Sequence, residues 1–219
     1  MITFAEIRKS EAIAAYIAKG DQVLGALGYT EHSEIHSVKV AVTAAKLLSD
    51  LGYSEREIEL AKIAGYMHDI GNSVNRVDHA HTGAVMAFGI LSEIGMAPDE
   101  IACVISAIGN HDEGTGSAFD PISAALIIAD KTDVRRNRVR NTDFATFDIH
   151  DRVNYAAVSS KLLVNTEERT ITLDIDLDAQ MCTMLDYFEI FLKRMLMCRR
   201  AAEMLGMRFR LTCGGHKIV

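Results

Sequence analysis

The residues best equipped for chemistry in this chain are histidines and carboxylates, and two of them are neighbours. His68 and Asp69 stand in the run Gly-Tyr-Met-His-Asp-Ile-Gly. Eight histidines among 219 residues would mean little if scattered, but these have partners at a distance. Adjacent side chains on a helix point about 100° apart, so both reach one ion only if other groups close the sphere. His36 upstream and Asp130 downstream are the candidates. Imidazole together with carboxylate suits Fe, Mn, Zn, Co or Ni, and a carboxylate can bridge two such ions.

Helices must deliver these residues, and the first two-thirds of the chain reads as helix after helix. Thr3 with Glu6 makes a capping box ahead of a stretch that continues to about Ala18, and Ser54 with Glu57 does the same ahead of Ile58 to Met67. Between them Ile35, Val38, Val42, Ala45 and Leu48 recur at spacings of three and four, giving one apolar face that stops near Gly52, with His36 beside it. Further helices are expected from about His79 to Glu93, from Pro98 to Ile108 and from Pro121 to about Arg136. No internal repeat is visible, which points to one helical core rather than an array.

After Arg140 the texture changes. Ala157 to Val164 and Thr170 to Asp176 read as a hairpin around a polar turn, with Ile171, Leu173, Ile175 and Leu177 alternating against Thr and Asp. A long amphipathic helix from about Asp178 to Leu205 follows, its Met181, Met184, Met195 and Met197 acting as core fillers. Met207 to Leu211 offers a third strand. The expected fold is mainly α: a helical core over residues 1–140 and a small α+β extension over 141–219, hairpin plus long helix, packed on it.

Composition limits the partners. A formal charge of −7 argues against coating a nucleic-acid polymer, which rests on many Lys and Arg contacts to phosphates. Cys103, Cys182, Cys198 and Cys213 are widely spaced with no CxxC pair, and we read them as reduced thiols of a cytoplasmic protein. No segment reaches the roughly 18 apolar residues that span a bilayer, and Glu6 interrupts the run a signal peptide would need. No membrane partner is expected, and homo-oligomerisation is left open.

With these residues in order, the chain resembles the HD superfamily of metal-dependent phosphohydrolases, whose pattern is a His, then His-Asp, then an Asp, each on its own helix. His36 in Glu-Ile-His-Ser matches the first element, His68-Asp69 the second, and Asp130 in Ala-Asp-Lys-Thr-Asp the last. Two more positions resemble the binuclear branch: His79 four residues before Gly83, and His111 in Gly-Asn-His-Asp-Glu. The resemblance implies an HD-domain helical core in which His36, His68, Asp69 and Asp130 hold one ion and His79 and His111 the other, with Asp69 bridging. Asp112 stands where the branch often has a second His, and Asn72 where many members have Lys. The Gly-Tyr-Pro extension of the cyclic-dinucleotide phosphodiesterases is absent after Gly116.

The expected reaction is hydrolysis of a phosphomonoester or phosphodiester of a small phosphorylated metabolite or nucleotide by a metal-bridged hydroxide, with two divalent transition ions drawn from Fe, Mn, Co, Ni or Zn. Asp69 and Lys131 are the expected catalytic residues, Lys131 meeting charge that builds on the phosphoryl oxygens. Arg135 and Arg136, in the one dense basic run, join Lys131 as candidates to hold substrate. A di-iron oxygenase of the same fold, or a sensor that binds nucleotide or metal without turnover, are the alternatives.

Overall fold

The helices begin where side chains accept a first-turn N–H. In the computed structural model, which describes residues 1–218, Thr3 and Glu6 form the expected capping box, but the helix they open, α1 (Phe4–Ile7), is a single turn. Ser10 then accepts from the Ile13 N–H and starts α2 (Glu11–Ala26). The one helix expected to Ala18 is therefore two, because Ser10 offers the backbone a cap that competes with helix continuity. Ser33 caps α3 (Glu34–Asp50), which ends at Leu51 ahead of Gly52 in the left-handed region at φ +79°. The Ser54–Glu57 box opens α4 (Glu55–Met67), and α5 (His79–Glu93), α6 (Pro98–Gly109) and α7 (Pro121–Lys131) follow.

α7 stops at Thr132, short of the expected Arg136. The Thr132 hydroxyl donates back to the Ile128 carbonyl, and Asp133, Arg135 and Arg138 beyond it tie into a charged network rather than continuing one helix face. Ile122 to Ala129 are buried on every side, because α7 lies among α3, α4, α6 and α9 (Met184–Met204). α3 and α4 approach closely at Gly65, where a Cβ would sit 2.7 Å from the Ala41 Cα.

Beyond residue 140 the chain builds α8 (Ile149–Ala156), which the sequence reading did not anticipate, and then a sheet. β1 (Ala157–Asn165) and β2 (Thr170–Leu177) form the expected antiparallel hairpin. α9 begins at a Thr183–Asp186 capping box, six residues later than expected, since 178–182 are taken up in a turn closed by Cys182 N–H on the Asp178 carbonyl. β3 (Arg208–Cys213) returns parallel to β2, and β4 (His216–Lys217) closes the order β1-β2-β3-β4. Ile171, Leu173, Ile175 and Leu211 are buried against the helices. The fold is thus mainly α with a small C-terminal α+β part. Among the described residues no helix is long and apolar enough to cross a membrane.

Candidate metal centre

Four helix ends and two connections converge on one point. His36 lies in the first turn of α3, His68 caps the C-terminus of α4, His79 is the first residue of α5, His111 follows the end of α6, and Asp130 is in the last turn of α7. Asp69 is not on a helix with His68. Its backbone, at φ −100° and ψ 4°, leaves α4 for a 3-10 turn at Ile70–Ser73, which re-aims the carboxylate toward the histidines. Gly71 makes that turn fit: a Cβ there would lie 2.0 Å from the His79 carbonyl oxygen, so the turn and the start of α5 can touch only without a side chain.

The imidazoles are oriented alike. His36 Nδ1 is 2.8 Å from Asp133 Oδ2, His68 Nδ1 2.8 Å from the Gly65 carbonyl, His79 Nδ1 3.1 Å from the Arg76 carbonyl and His111 Nδ1 2.6 Å from the Ile108 carbonyl. Since those oxygens only accept, Nδ1 carries a proton in each, and in the neutral ring every Nε2 presents a lone pair inward. His36 Nε2 is 3.4 Å and His68 Nε2 3.7 Å from Asp130 Oδ1, and His68 Nε2 is 3.2 Å from Asp69 Oδ2. On the other side, His79 Nε2 and His111 Nε2 lie 3.6 and 3.7 Å from Asp69 Oδ1 and 3.2 Å from each other. The Asp69 carboxylate faces both groups, one oxygen to each.

His36 Nε2 and His68 Nε2 are buried with no hydrogen-bond partner among the described residues. Stranding two acceptors in a protein interior costs about 1–3 kcal/mol each, so something other than protein is expected to fill the gap between them. Two overlapping groups, His36–His68–Asp130 and His68–Asp69–His111, bring their donor atoms close enough to share an ion. The donor chemistry fits a divalent transition metal.

The electrostatics agree with that use. Burial disfavours charge on Asp69 and Asp130, yet the neighbouring His68 and His111 hold Asp69, and Lys131 and His36 hold Asp130, well below the usual carboxylate range. Both stay anionic. Burial also opposes protonation of His68, but Asp69 and Asp130 outweigh it and raise its pKa. At His79 burial wins, helped by His111 and Arg76, and the pKa falls to about 4, leaving a neutral ligand.

Asp69, His79, His111 and Asp130 of the cluster line a cavity of about 320 Å³, with His36 and His68 buried behind them. Lys131 lines it, and its ammonium lies 2.7 Å from Asp130 Oδ2 and 2.8 Å from Glu113 Oε2. Arg135 and Arg136 do not line it. Arg135 pairs with Asp133, and Arg136 donates to the Tyr155 carbonyl with its guanidinium over the Tyr155 ring. The arginines on the cavity are Arg76, Arg138 and Arg194, of which only Arg138 belongs to the basic run that the sequence offered for holding phosphates. His32 was also missed; it packs edge-on against His36, four residues away, and the Glu-His-Ser-Glu-Ile-His spacing was its one signal. His81 is exposed, outside the cluster. Asn72 donates from Nδ2 to Asp69 Oδ1 at 2.8 Å and so steadies the shared carboxylate.

The HD domain pattern matches residues 34–137, which include all six converging side chains. An uncharacterized protein of Methanocaldococcus jannaschii is 27% identical over 196 residues, covering 78% of this chain and 74% of its own. Ribonuclease Y of Enterococcus faecalis is 31% identical over 130 residues, 58% of this chain, and the chain spans only 23% of that relative's length. A predicted HD superfamily hydrolase from an uncultured Thermotogales bacterium superposes with a TM-score of 0.45 at 23% identity, over 61% of this chain and 75% of that one. Over residues 34–137, a little under half its length, the chain is thus similar to HD domain proteins.

Proposed function

We propose that the chain hydrolyses a phosphoester of a small, nucleotide-like substrate at this centre. The observation that carries the reading is the pair of buried, unpartnered atoms His36 Nε2 and His68 Nε2, beside Asp69 and Asp130, which line the cavity. His36, His68, Asp69 and Asp130 would hold one ion, and His79 and His111 a second that shares Asp69. When bound, such ions supply Lewis acidity, polarising a phosphoryl oxygen and acidifying water.

The protein's own groups do the rest. Asp69 offers one oxygen to each half of the cluster and, held anionic, takes up no proton near neutral pH. Lys131 keeps Asp130 oriented through its 2.7 Å ion pair. The cavity supplies positive charge around an anionic substrate and walls of α8 and α9 that limit water, as such sites commonly do. Its volume suits a mononucleotide-sized ligand, at the small end of ligand pockets. The ribonuclease Y likeness brings the phosphodiester into the same screen. Four free cysteines accord with a reducing, cytoplasmic setting.

The test is a screen of phosphorylated metabolites, nucleotides and short RNA with Mn, Fe, Co, Ni, Zn and Mg added separately. Phosphate release from a small phosphoester, dependent on a transition ion, is expected. Oxygen consumption with an iron-loaded sample and no phosphate release would favour the oxygenase, and tight nucleotide binding without turnover the sensor.

A further inference from the structure

The cavity's cations are not equivalent. Lys131 is engaged by two carboxylates and is only 6% exposed. Arg138 donates from Nε to the Glu31 carbonyl and from Nη1 to the Asp133 carbonyl and carboxylate. Arg76 points Nη1 at Asn72 Oδ1 and His79 Nε2. Arg194, on α9, differs: its Nε donates to Glu113 Oε1 at 3.0 Å, its guanidinium lies 4.8 Å from the Phe191 ring centre, and Nη1 and Nη2 have no protein partner among the described residues. The side chain is 30% exposed and lines the cavity. One edge of the fork is anchored and the other is free.

Charge points the same way. Asp130, Lys131, Glu113 and Arg194 form a continuous chain of ion pairs with two charges of each sign. An ion on Asp130 would tip that balance positive and draw an anion to the free donors. A guanidinium fixed at Nε and stacked on an aromatic ring has little rotamer freedom left to lose, and its planar fork matches two oxygens of one phosphoryl group.

We propose that Arg194 binds the substrate's phosphoryl group through two of its oxygens, so that α9, outside residues 34–137, completes the site. This rests on the phosphohydrolase reading for the identity of the substrate. Glu113 is then a positioning residue, holding Arg194 on one side and Lys131 on the other.

Metal-loaded wild type, Arg194→Gln and Arg194→Lys are titrated with inorganic phosphate by calorimetry, with metal content and thermal unfolding measured alongside. Wild type is expected to bind phosphate. Arg194→Gln should weaken it by about tenfold to a hundredfold, the range for losing charge-assisted hydrogen bonds, at unchanged metal content. Arg194→Lys should recover only part, since an ammonium keeps charge without the fork, and it carries the test should the Gln variant not fold. No phosphate binding by wild type, equal affinity in Arg194→Gln, or full recovery with Lys overturns the proposal. Phosphoester turnover with equal KM and phosphate affinity in Arg194→Gln would sink this inference and leave the phosphohydrolase reading standing. Absent turnover with the expected loss of phosphate affinity would do the reverse.

Discussion

Asp133 Oδ2 accepts the Nδ1 proton of His36 at 2.8 Å, and this one contact fixes both the tautomer and the aim of the first imidazole in the cluster. Asp133 is buried, and Lys39, Arg135 and Arg138 also reach its carboxylate. Burial disfavours its charge, but the His36 and Arg135 hydrogen bonds and the Arg138 charge hold it far below the usual carboxylate range. Partners of this kind typically change metal affinity by about 10- to 100-fold when removed. Asp133→Asn should lower the affinity of the His36 site within that range while the protein stays folded. Competition against a chromogenic chelator reads it, and unchanged affinity would mean that His36 needs no such support.

A second prediction concerns Gly71. A Cβ at this position would meet the His79 carbonyl oxygen at 2.0 Å and the Gly83 nitrogen at 2.6 Å, both backbone atoms that cannot step aside alone. Gly71→Ala should force the 3-10 turn away from α5, costing about 1–3 kcal/mol as overpacking and separating Asp69 from His79. Gly89→Ala, with nothing within 4 Å of the new Cβ and a place on the exposed side of α5, should be neutral or slightly stabilising. Comparing Tm and metal content of the two variants checks the pair. Wild-type values in the Gly71→Ala variant would show that the turn has room.

The cluster was legible in the sequence because each ligand sits in a short local pattern with its own flanking residues, whereas the cavity walls were not. Glu113 and Arg194 are 81 positions apart, and neither has a neighbour that marks the pairing. The Arg135–Arg140 run read as a basic patch because, Asp133 apart, its counter-charges are remote: Glu31 meets Arg135 and Arg138, Asp21 meets Arg140, and Asp178 meets Arg136. A Thr or Ser with an acid three residues on declares itself, but the end of α7 depends on where Thr132 and Asp133 find partners. α8 escaped notice since its two turns are short and polar, anchored by Val153 and Ala156 alone among its apolar residues.

Alkaline pH should unfold the protein partly through Cys198. This thiol is wholly buried on α9, and burial, opposed by Lys131 and reinforced by Asp130, pushes its pKa from an ordinary 9.0 to about 12. A thiol whose pKa is higher folded than unfolded contributes stability that is complete below the unfolded value and lost as pH rises toward the folded one. The window is therefore pH 9 to 12. By pH 10.5 the loss should reach about 2 kcal/mol. Cys198→Ala removes this dependence at the cost of a small cavity, so its deficit against wild type should shrink between pH 7.5 and 10.5. Urea unfolding at both pH values measures it; a deficit that stays constant would assign the alkaline loss to other groups.

The number of ions turns on His79 and His111, whose Nε2 atoms lie 3.2 Å apart and face the same oxygen of Asp69. If they hold a second ion, replacing either should lower metal stoichiometry by about one and leave the His36–His68–Asp130 group able to bind. His36→Ala should instead disturb the first ion. Asp69→Ala should reduce both, because its two oxygens serve the two halves and without them neighbouring cations lose the anion between them. The fold should survive these changes, since apolar helix packing around α7 rather than the cluster forms the core. Turnover should fall with the second ion by the several kcal/mol that Lewis-acid stabilisation supplies, mainly in kcat rather than KM. Elemental analysis and steady-state kinetics on the four variants separate the cases. Unaltered stoichiometry and rate in both His79→Ala and His111→Ala would reduce the centre to a single ion held by His36, His68, Asp69 and Asp130, and would leave Arg76, 3.2 Å from His79 Nε2, as the cation on that side of Asp69.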